Sequence, residues 1–225
     1  MEHDLVTLEY RPFTGVARQY TLAVRLTEED QELLCLQMDI RQALRELIDD
    51  GSFIADFEVL SGVFKKNEVV SQAPGQGRVH TVTVKKNGEI IGASADFPFA
   101  QPSFSAGAVR PGACWQGDSR FLPRLVERIV SLEPGCTDRI ECDFTLDSCI
   151  ALSGLECAII AVKCPEISFK DSGGGMQTIS GEGRIHFDHG RGALIGSFME
   201  MALQVDKGAG AVHYKVFTKI DSGCK

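Results

Sequence analysis

Hydrophobic and polar residues alternate with a period of two along most of this chain. Tyr20, Leu22, Val24 and Leu26 share one face of a run, and Phe53, Ala55, Phe57 and Val59 share one face of another. This period marks a half-buried strand, because successive strand side chains point to opposite sides of a sheet. Val6, Leu8 and Tyr10 open an earlier strand, with Thr14-Gly15 as the turn that follows. Residues 33–48 carry two patterns: Leu34, Leu36, Met38 and Ile40 alternate, whereas Ile40, Leu44, Leu47 and Ile48 are spaced like a helix face. The first part is expected to be strand.

Asp49-Asp50-Gly51 reads as a turn and residues 71–78 as a loop. Asn87-Gly88, between alternating runs at 80–84 and 89–91, predicts a hairpin, since both residues accept the left-handed backbone that tight hairpins need. Residues 97–112, rich in Pro, Ser, Ala and Gly, read as a seam between two β-rich halves, 1–105 and 106–225, which could also form one fused domain. Beyond it Leu122, Leu125, Val126, Ile129 and Val130 have helical spacing. Pro123 suits a first turn and Glu133-Pro134-Gly135 stops the run, so a short helix is expected near 122–132. Strands are expected again at 139–146, 156–162, 183–187, 193–201 and 212–219, with a flexible glycine loop at 172–175.

The two halves echo each other. Gly51, Ala55, Phe57 and Val59 align with Gly154, Ala158, Ile160 and Val162 at an offset of 103, and Gly88-Glu-Ile90-Ile91-Gly92 aligns with Gly192-Ala-Leu194-Ile195-Gly196 at 104. A repeat constrains the whole fold. The fold class expected is therefore mainly β: antiparallel curved sheets or a partial barrel built from two related halves, with a short connecting helix. Gly88 and Gly192 should both have positive φ in equivalent hairpin turns. Ile90 and Leu194 should face one way, with Ile91 and Ile195 opposite.

Composition narrows the function classes. The chain has 225 residues, 31 acidic against 23 basic, and a net charge of −8, which argues against a phosphate-backbone partner. No run approaches the roughly 20 apolar residues that span a bilayer, and the first ten residues lack the basic and apolar regions of an export signal. The location expected is cytoplasmic as written, or extracytoplasmic if an export signal preceded this sequence.

Eight cysteines, at 35, 114, 136, 142, 149, 157, 164 and 224, include no Cys-x-x-Cys pair. Buried free thiols are the favoured reading over disulfides and over metal, because free cysteine packs as a small apolar residue. Cys157 and Cys164, seven residues apart on a strand, project to opposite faces, which argues against a bridge between them.

Candidate chemistry is sparse. His186, Asp188 and His189 carry imidazole and carboxylate donors suited to zinc, yet no further ligand stands at a recognisable spacing, and Asp-His-Gly-Arg-Gly is a good turn. Gly173-Gly174-Gly175 and Gly181-Glu-Gly183 lack the Lys-Ser/Thr that completes a phosphate loop, and read as a mobile β–β loop. No Gly-x-Ser-x-Gly elbow occurs, and the residues call for no cofactor and name no catalytic group. Trp115, the single tryptophan, is expected to anchor core packing.

The order of Leu8-Glu-Tyr10, Asp50-Gly51-Ser52, Asn87-Gly88, Pro111-Gly112-Ala-Cys-Trp115, Gly154-Leu-Glu-Cys157 and Gly181-Glu-Gly183 resembles uncharacterised β-rich bacterial exported proteins and lipoproteins. More distantly it is similar to half-barrel lipoprotein carriers. That resemblance, with 13 Phe against three Tyr and one Trp, implies a non-catalytic binding or carrier protein for a small apolar ligand. The alternatives are a structural subunit that pairs through sheet edges with a protein partner, and a metal-dependent hydrolase around His186, Asp188 and His189.

Overall fold

The computed structural model describes residues 5–13, 15, 17–94, 97–99, 101–104, 107–119, 122, 124–132, 140–152, 154–170, 175–206 and 210–223. Fourteen strands and one short helix follow in chain order among these residues. The first half holds β1 (Val6–Thr7), β2 (Arg18–Glu28), β3 (Gln31–Leu47), β4 (Phe53–Lys66), β5 (Val69–Gln72), β6 (Val79–Val84) and β7 (Ile90–Ile91). The second holds β8 (Ala108–Val109), β9 (Cys114–Ser119), α1 (Arg124–Val130), β10 (Ile140–Leu152), β11 (Leu155–Lys170), β12 (Met176–Asp188), β13 (Ala193–Asp206) and β14 (Ala211–Ser222).

Twelve of these strands form one antiparallel sheet in the order β7-β6-β4-β3-β2-β14-β13-β12-β11-β10-β9, with β5 on the flank of β4. The sheet stays open, without closing into a barrel. β2-β3-β4-β6-β7 and β9-β10-β11-β12-β13 are two five-strand meanders of the same order. The echoed residues are topologically equivalent. Gly51 and Gly154 precede β4 and β11 at φ +83° and +80°, and Gly88 and Gly192 occupy the hairpin turns before β7 and β13 at φ +91° and +62°. Leu194 is buried and Ile90 packs against the core, whereas Ile91 is exposed, as alternation requires.

The meanders do not pair with each other directly. β14 lies between them, pairing with β13 from Gly196↔Asp221 to Asp206↔Ala211 and with β2 from Tyr214↔Glu28 to Ser222↔Tyr20. The N-terminal segment ties the two hairpin tips: Tyr10 N donates to Lys86 O at 2.6 Å, and Arg11 N donates to Gly192 O at 3.0 Å. β1 and β8 make a separate two-stranded ladder.

One face of the sheet contributes to a single hydrophobic core. The segment expected to be a seam is built into it: Phe97, Phe99 and Phe104 are buried at 2% exposure. Their rings meet Phe57, Tyr20, Tyr10 and Phe187 at centroid distances of 5.0–5.7 Å, in edge-on, tilted and stacked geometries that favour aromatic pairs. A chain segment without strand partners leaves polar backbone to satisfy. Here Phe104 N donates to Asn87 O at 2.7 Å, Gln101 Nε2 to Gly88 O at 2.8 Å, and Tyr10 Oη to Pro102 O at 3.0 Å. Leu122, Val126 and Val130 carry the helix into the same core. The helix ends with Ser131 at φ +63° and Leu132 N bonded to Glu127 O. Trp115 packs on the core with its ring stacked 5.7 Å from Phe144, as expected of an anchor. No described helix is long and apolar enough to cross a membrane.

Several expectations are corrected. The ambiguous stretch after Gln31 is strand through Leu47, and Leu47 and Ile48, which suggested a helix face, are exposed. Residues 71 and 72 belong to β5, whose hairpin with β4 turns through Asn67 and Glu68 at positive φ. Gly181 is not in a loop but inside β12, and Gly183, where a strand was expected to begin, lies inside it as well. A Cβ at either would fall 2.3 or 2.2 Å from the sulfur of Met201 or Met199, so these glycines make room for two methionines on the core face. Among the cysteines, Cys142 and Cys164 form a disulfide, contrary to the free-thiol expectation for that pair. Asp143 pairs with Lys163, which sets the two cysteines opposite each other on adjacent strands with Cα atoms 4.3 Å apart. Cys35, Cys114, Cys149 and Cys157 are free, and Cys157 is not bridged to Cys164. Cys136, Cys224, Thr14, Gly173, Gly174 and the helix-flanking Pro123, Glu133, Pro134 and Gly135 lie outside the described residues.

Candidate functional site

The face of the sheet opposite the core carries the polar residues, and over β10–β14 it hollows into a groove of about 760 Å³. Strand register explains the hollow. Across β12, β13 and β14 one outer row reads His186, Gly196, Asp221, and the next reads Arg184, Phe198, Lys219. A third row reads Lys163, Glu182, Glu200 from β11 to β13. Gly196 leaves a gap between His186 and Asp221, and Ala161 leaves a shallower one between Thr145 and Arg184. A Cβ at Gly196 would lie 2.9 Å from the Ile220 carbonyl oxygen, so the backbone itself keeps this position bare.

The walls are charged and mostly engaged. Arg184 Nη2 lies 3.6 Å from Asp147 Oδ2, Lys219 Nζ lies 2.7 Å from Asp221 Oδ2, and Gln116 Nε2 donates to Asp143 Oδ1 at 3.1 Å. Phe198 stands among them with 44% of its surface exposed, the one phenylalanine, tyrosine or tryptophan among the groove's described lining residues. Small-ligand sites are usually lined mostly by apolar and aromatic side chains with a few convergent polar groups; this groove is more polar than that, with charged walls around one phenyl ring.

The three sequence candidates separate. His186 lines the groove. Asp188 is buried at the end of β12, where Oδ1 accepts from Arg191 N at 3.0 Å and Oδ2 lies 3.7 Å from Arg191 Nε. It therefore fixes the turn into β13. His189 sits in that turn, its N bonded to Glu156 O at 3.0 Å and its Nδ1 3.8 Å from Glu156 Oε2. Neither Asp188 nor His189 lines the groove. Among the described residues no three His, Cys, Asp or Glu side chains are placed to hold a metal ion.

Sequence reasoning missed Arg184, Gly196, Phe198, Glu182 and Glu200. The alternation of Arg184-Ile185-His186 already put Arg184 beside His186, and a glycine directly after the branched pair Leu194-Ile195 was a cue to a bare strand position. No protein-family model matches the chain, and no curated protein does either.

Proposed function

We propose that this protein is a non-catalytic binding protein whose ligand lies in the outer groove over β10–β14. The observation that carries this reading is the groove itself. Its volume of about 760 Å³ falls within the usual range for small-molecule sites, and its polar groups converge around a floor kept open by Gly196 and Ala161. Among its described lining residues no nucleophile is hydrogen-bonded to a base, which favours binding over covalent catalysis. The ligand that suits these walls is polar. The aromatic interior that first suggested an apolar cargo is filled by Phe97, Phe99 and Phe104 of the chain itself.

Nuclear magnetic resonance titration of labelled protein with spermidine, glucose, acetate and laurate tests the reading. At least one polar probe should move the amide signals of His186 and Phe198, and both Gly196→Val and Arg184→Ala should weaken that response. Shifts confined to other surfaces, or none with any probe, would reject it.

A second reading, a subunit that pairs through a sheet edge, draws on β5. This strand pairs only with β4 among the described strands, and Val69 and Val70 are 69% and 65% exposed. Sedimentation should then give a concentration-dependent mass that Val70→Lys abolishes. A monomer at all concentrations rules this reading out.

A further inference from the structure

The Cys142–Cys164 bridge stands where the ladder between β10 and β11 runs out. We infer that it is a redox-sensitive clamp. Closed, it holds the β9–β10 end of the sheet, and the groove wall on it, in place; open, it lets that end come away. The part that concerns the groove rests on the binding reading above.

The argument begins with register. β10 pairs with β11 from Leu152↔Leu155 to Asp143↔Lys163. Past Lys163 the described partners of β11 are on β12, from Cys164↔Gly181 to Lys170↔Met176. Ile140, Glu141 and Cys142 pair with Ser119, Asp118 and Gly117 of β9. Among the described strands β9 pairs only with β10, at the end of the sheet. The bridge is therefore the last link between this corner and β11, across a Cα separation of 4.3 Å. On the other side of Cys164, β11 slips register with β12 before Ile167, and such an irregularity disrupts the ladder locally. Backbone pairing thus ends on one side of the bridge and is interrupted on the other.

The second observation is the bareness of the bridge's own row, which reads Gly117, Cys142, Cys164, Gly181 from β9 to β12. Cross-strand side-chain pairs are the unit of sheet stabilisation. A glycine on either side leaves the two cysteines no such pair except each other. Asp143 and Lys163, next to them in sequence, face outward and line the groove, with Asp143 Oδ1 accepting from Gln116 Nε2. The bridge thus fixes from the core side the residues that bound the groove outside. Opening it is a two-electron step. The thiolate of a dithiol attacks one sulfur and frees the other cysteine; its second thiolate then attacks the mixed disulfide and frees the first. The reductant leaves as a disulfide, and its two protons pass to Cys142 and Cys164. Disulfides persist in oxidising compartments and are rare in reducing ones, so the clamp is closed in the former and open in the latter.

The test is hydrogen exchange in three forms of the full chain. One is oxidised; one is reduced in urea, because both cysteines are buried, and refolded with dithiothreitol; the third is C142A/C164A without reductant. In both open forms, exchange at Ile140–Asp143 should rise tenfold or more relative to exchange at Tyr20–Leu26, which lie between β14 and β3. A bridge that only stabilises the molecule as a whole would speed both sites together, so an unchanged ratio overturns the clamp. Reoxidation should restore the original ratio, and a ratio that stays high once the bridge has re-formed also overturns it. Amide titration with spermidine, glucose and acetate reads the groove. A probe that moves His186 and Phe198 in the oxidised protein should bind severalfold more weakly to both open forms; equal affinity overturns the link between clamp and groove. If no probe moves them in any form, the binding reading falls, and the exchange ratio alone decides the clamp.

Discussion

Replacing Gly88 with alanine probes the point where the repeated hairpin meets the rest of the molecule. Two costs arise there. The position has φ +91°, and an L-residue in left-handed space costs about 1–2 kcal/mol. The added methyl would also lie 2.3 Å from Tyr10 Cε2 and 2.6 Å from the Pro102 carbonyl oxygen. Tyr10 cannot easily retreat. Its hydroxyl donates to Pro102 O, its ring stacks on Phe104 and meets Phe187 edge-on, and its amide is bonded to Lys86 O. Overpacking of this sort adds about 1–3 kcal/mol. The loss expected for Gly88→Ala is therefore about 2–5 kcal/mol. Gly75 and Gly154 are natural controls: both have positive φ, at +79° and +80°, and nothing lies within 4 Å of an added Cβ. Gly75→Ala and Gly154→Ala should show the conformational cost alone, about 1–2 kcal/mol. Urea denaturation followed by Trp115 fluorescence measures all three, provided the slopes agree. A Gly88→Ala loss within about 0.5 kcal/mol of the controls, which is the usual scatter of independent sites, would refute the packing half of the argument.

Other consequences can be checked together. Reducing the Cys142–Cys164 bridge, or replacing both cysteines with serine, should cost about 3 kcal/mol, the loop-closure value for a separation of 22 residues; an intact mass matching fully reduced thiols in unreduced protein would remove the basis of this expectation. Among the described free cysteines, Cys114, which is exposed, should take up maleimide first at pH 8, and Cys157 should be slow, because it is buried and burial pushes its thiol above the ordinary range. Equal labelling rates would contradict the placement. Burial, with Arg78 nearby, pulls the His80 imidazole below its ordinary value, and Nδ1 sits 3.0 Å from Ser94 Oγ. The unfolded chain then binds a proton first, so stability should fall as pH drops through about 6.5 towards the lower folded value. The melting-temperature advantage over His80→Gln should shrink between pH 7.5 and 5.5, and a difference independent of pH would count against the effect.

Local rules were legible in the sequence; long-range register was not. Asn87-Gly88, the alternation through Tyr20–Leu26 and the echo at 103–104 residues each report on a few neighbours, and each appears in the fold. The strands of the second half run further than their apolar cores suggested, because ladder bonds continue wherever a neighbour is present, even through polar positions such as Gln204 and Lys215. β12 begins before Gly183, because Gly181 and Gly183 answer to Met201 and Met199 on the next strand, whereas glycine by itself signals a turn. The disulfide needed the Asp143↔Lys163 pairing, and the groove needed the alignment of five strands. His186 could be picked out in advance, since a polar-face histidine is visible from alternation, and the same alternation puts Arg184 on its face.

The position of β14 has a consequence for synthesis. Each meander is made of neighbours in sequence, so both can form from local contacts as the chain emerges, which is the fast mode of folding. The strand that joins them, β14, follows all the other described strands, and its pairing with β2 unites residues as far apart in sequence as Tyr20 and Ser222. Until it leaves the ribosome, β2 and β13 each present an unpaired edge to other strands in the cell. Vulnerability to misassembly should therefore last until residues 211–222 have been made, and a chain that stops before residue 211 would remain permanently in that exposed condition.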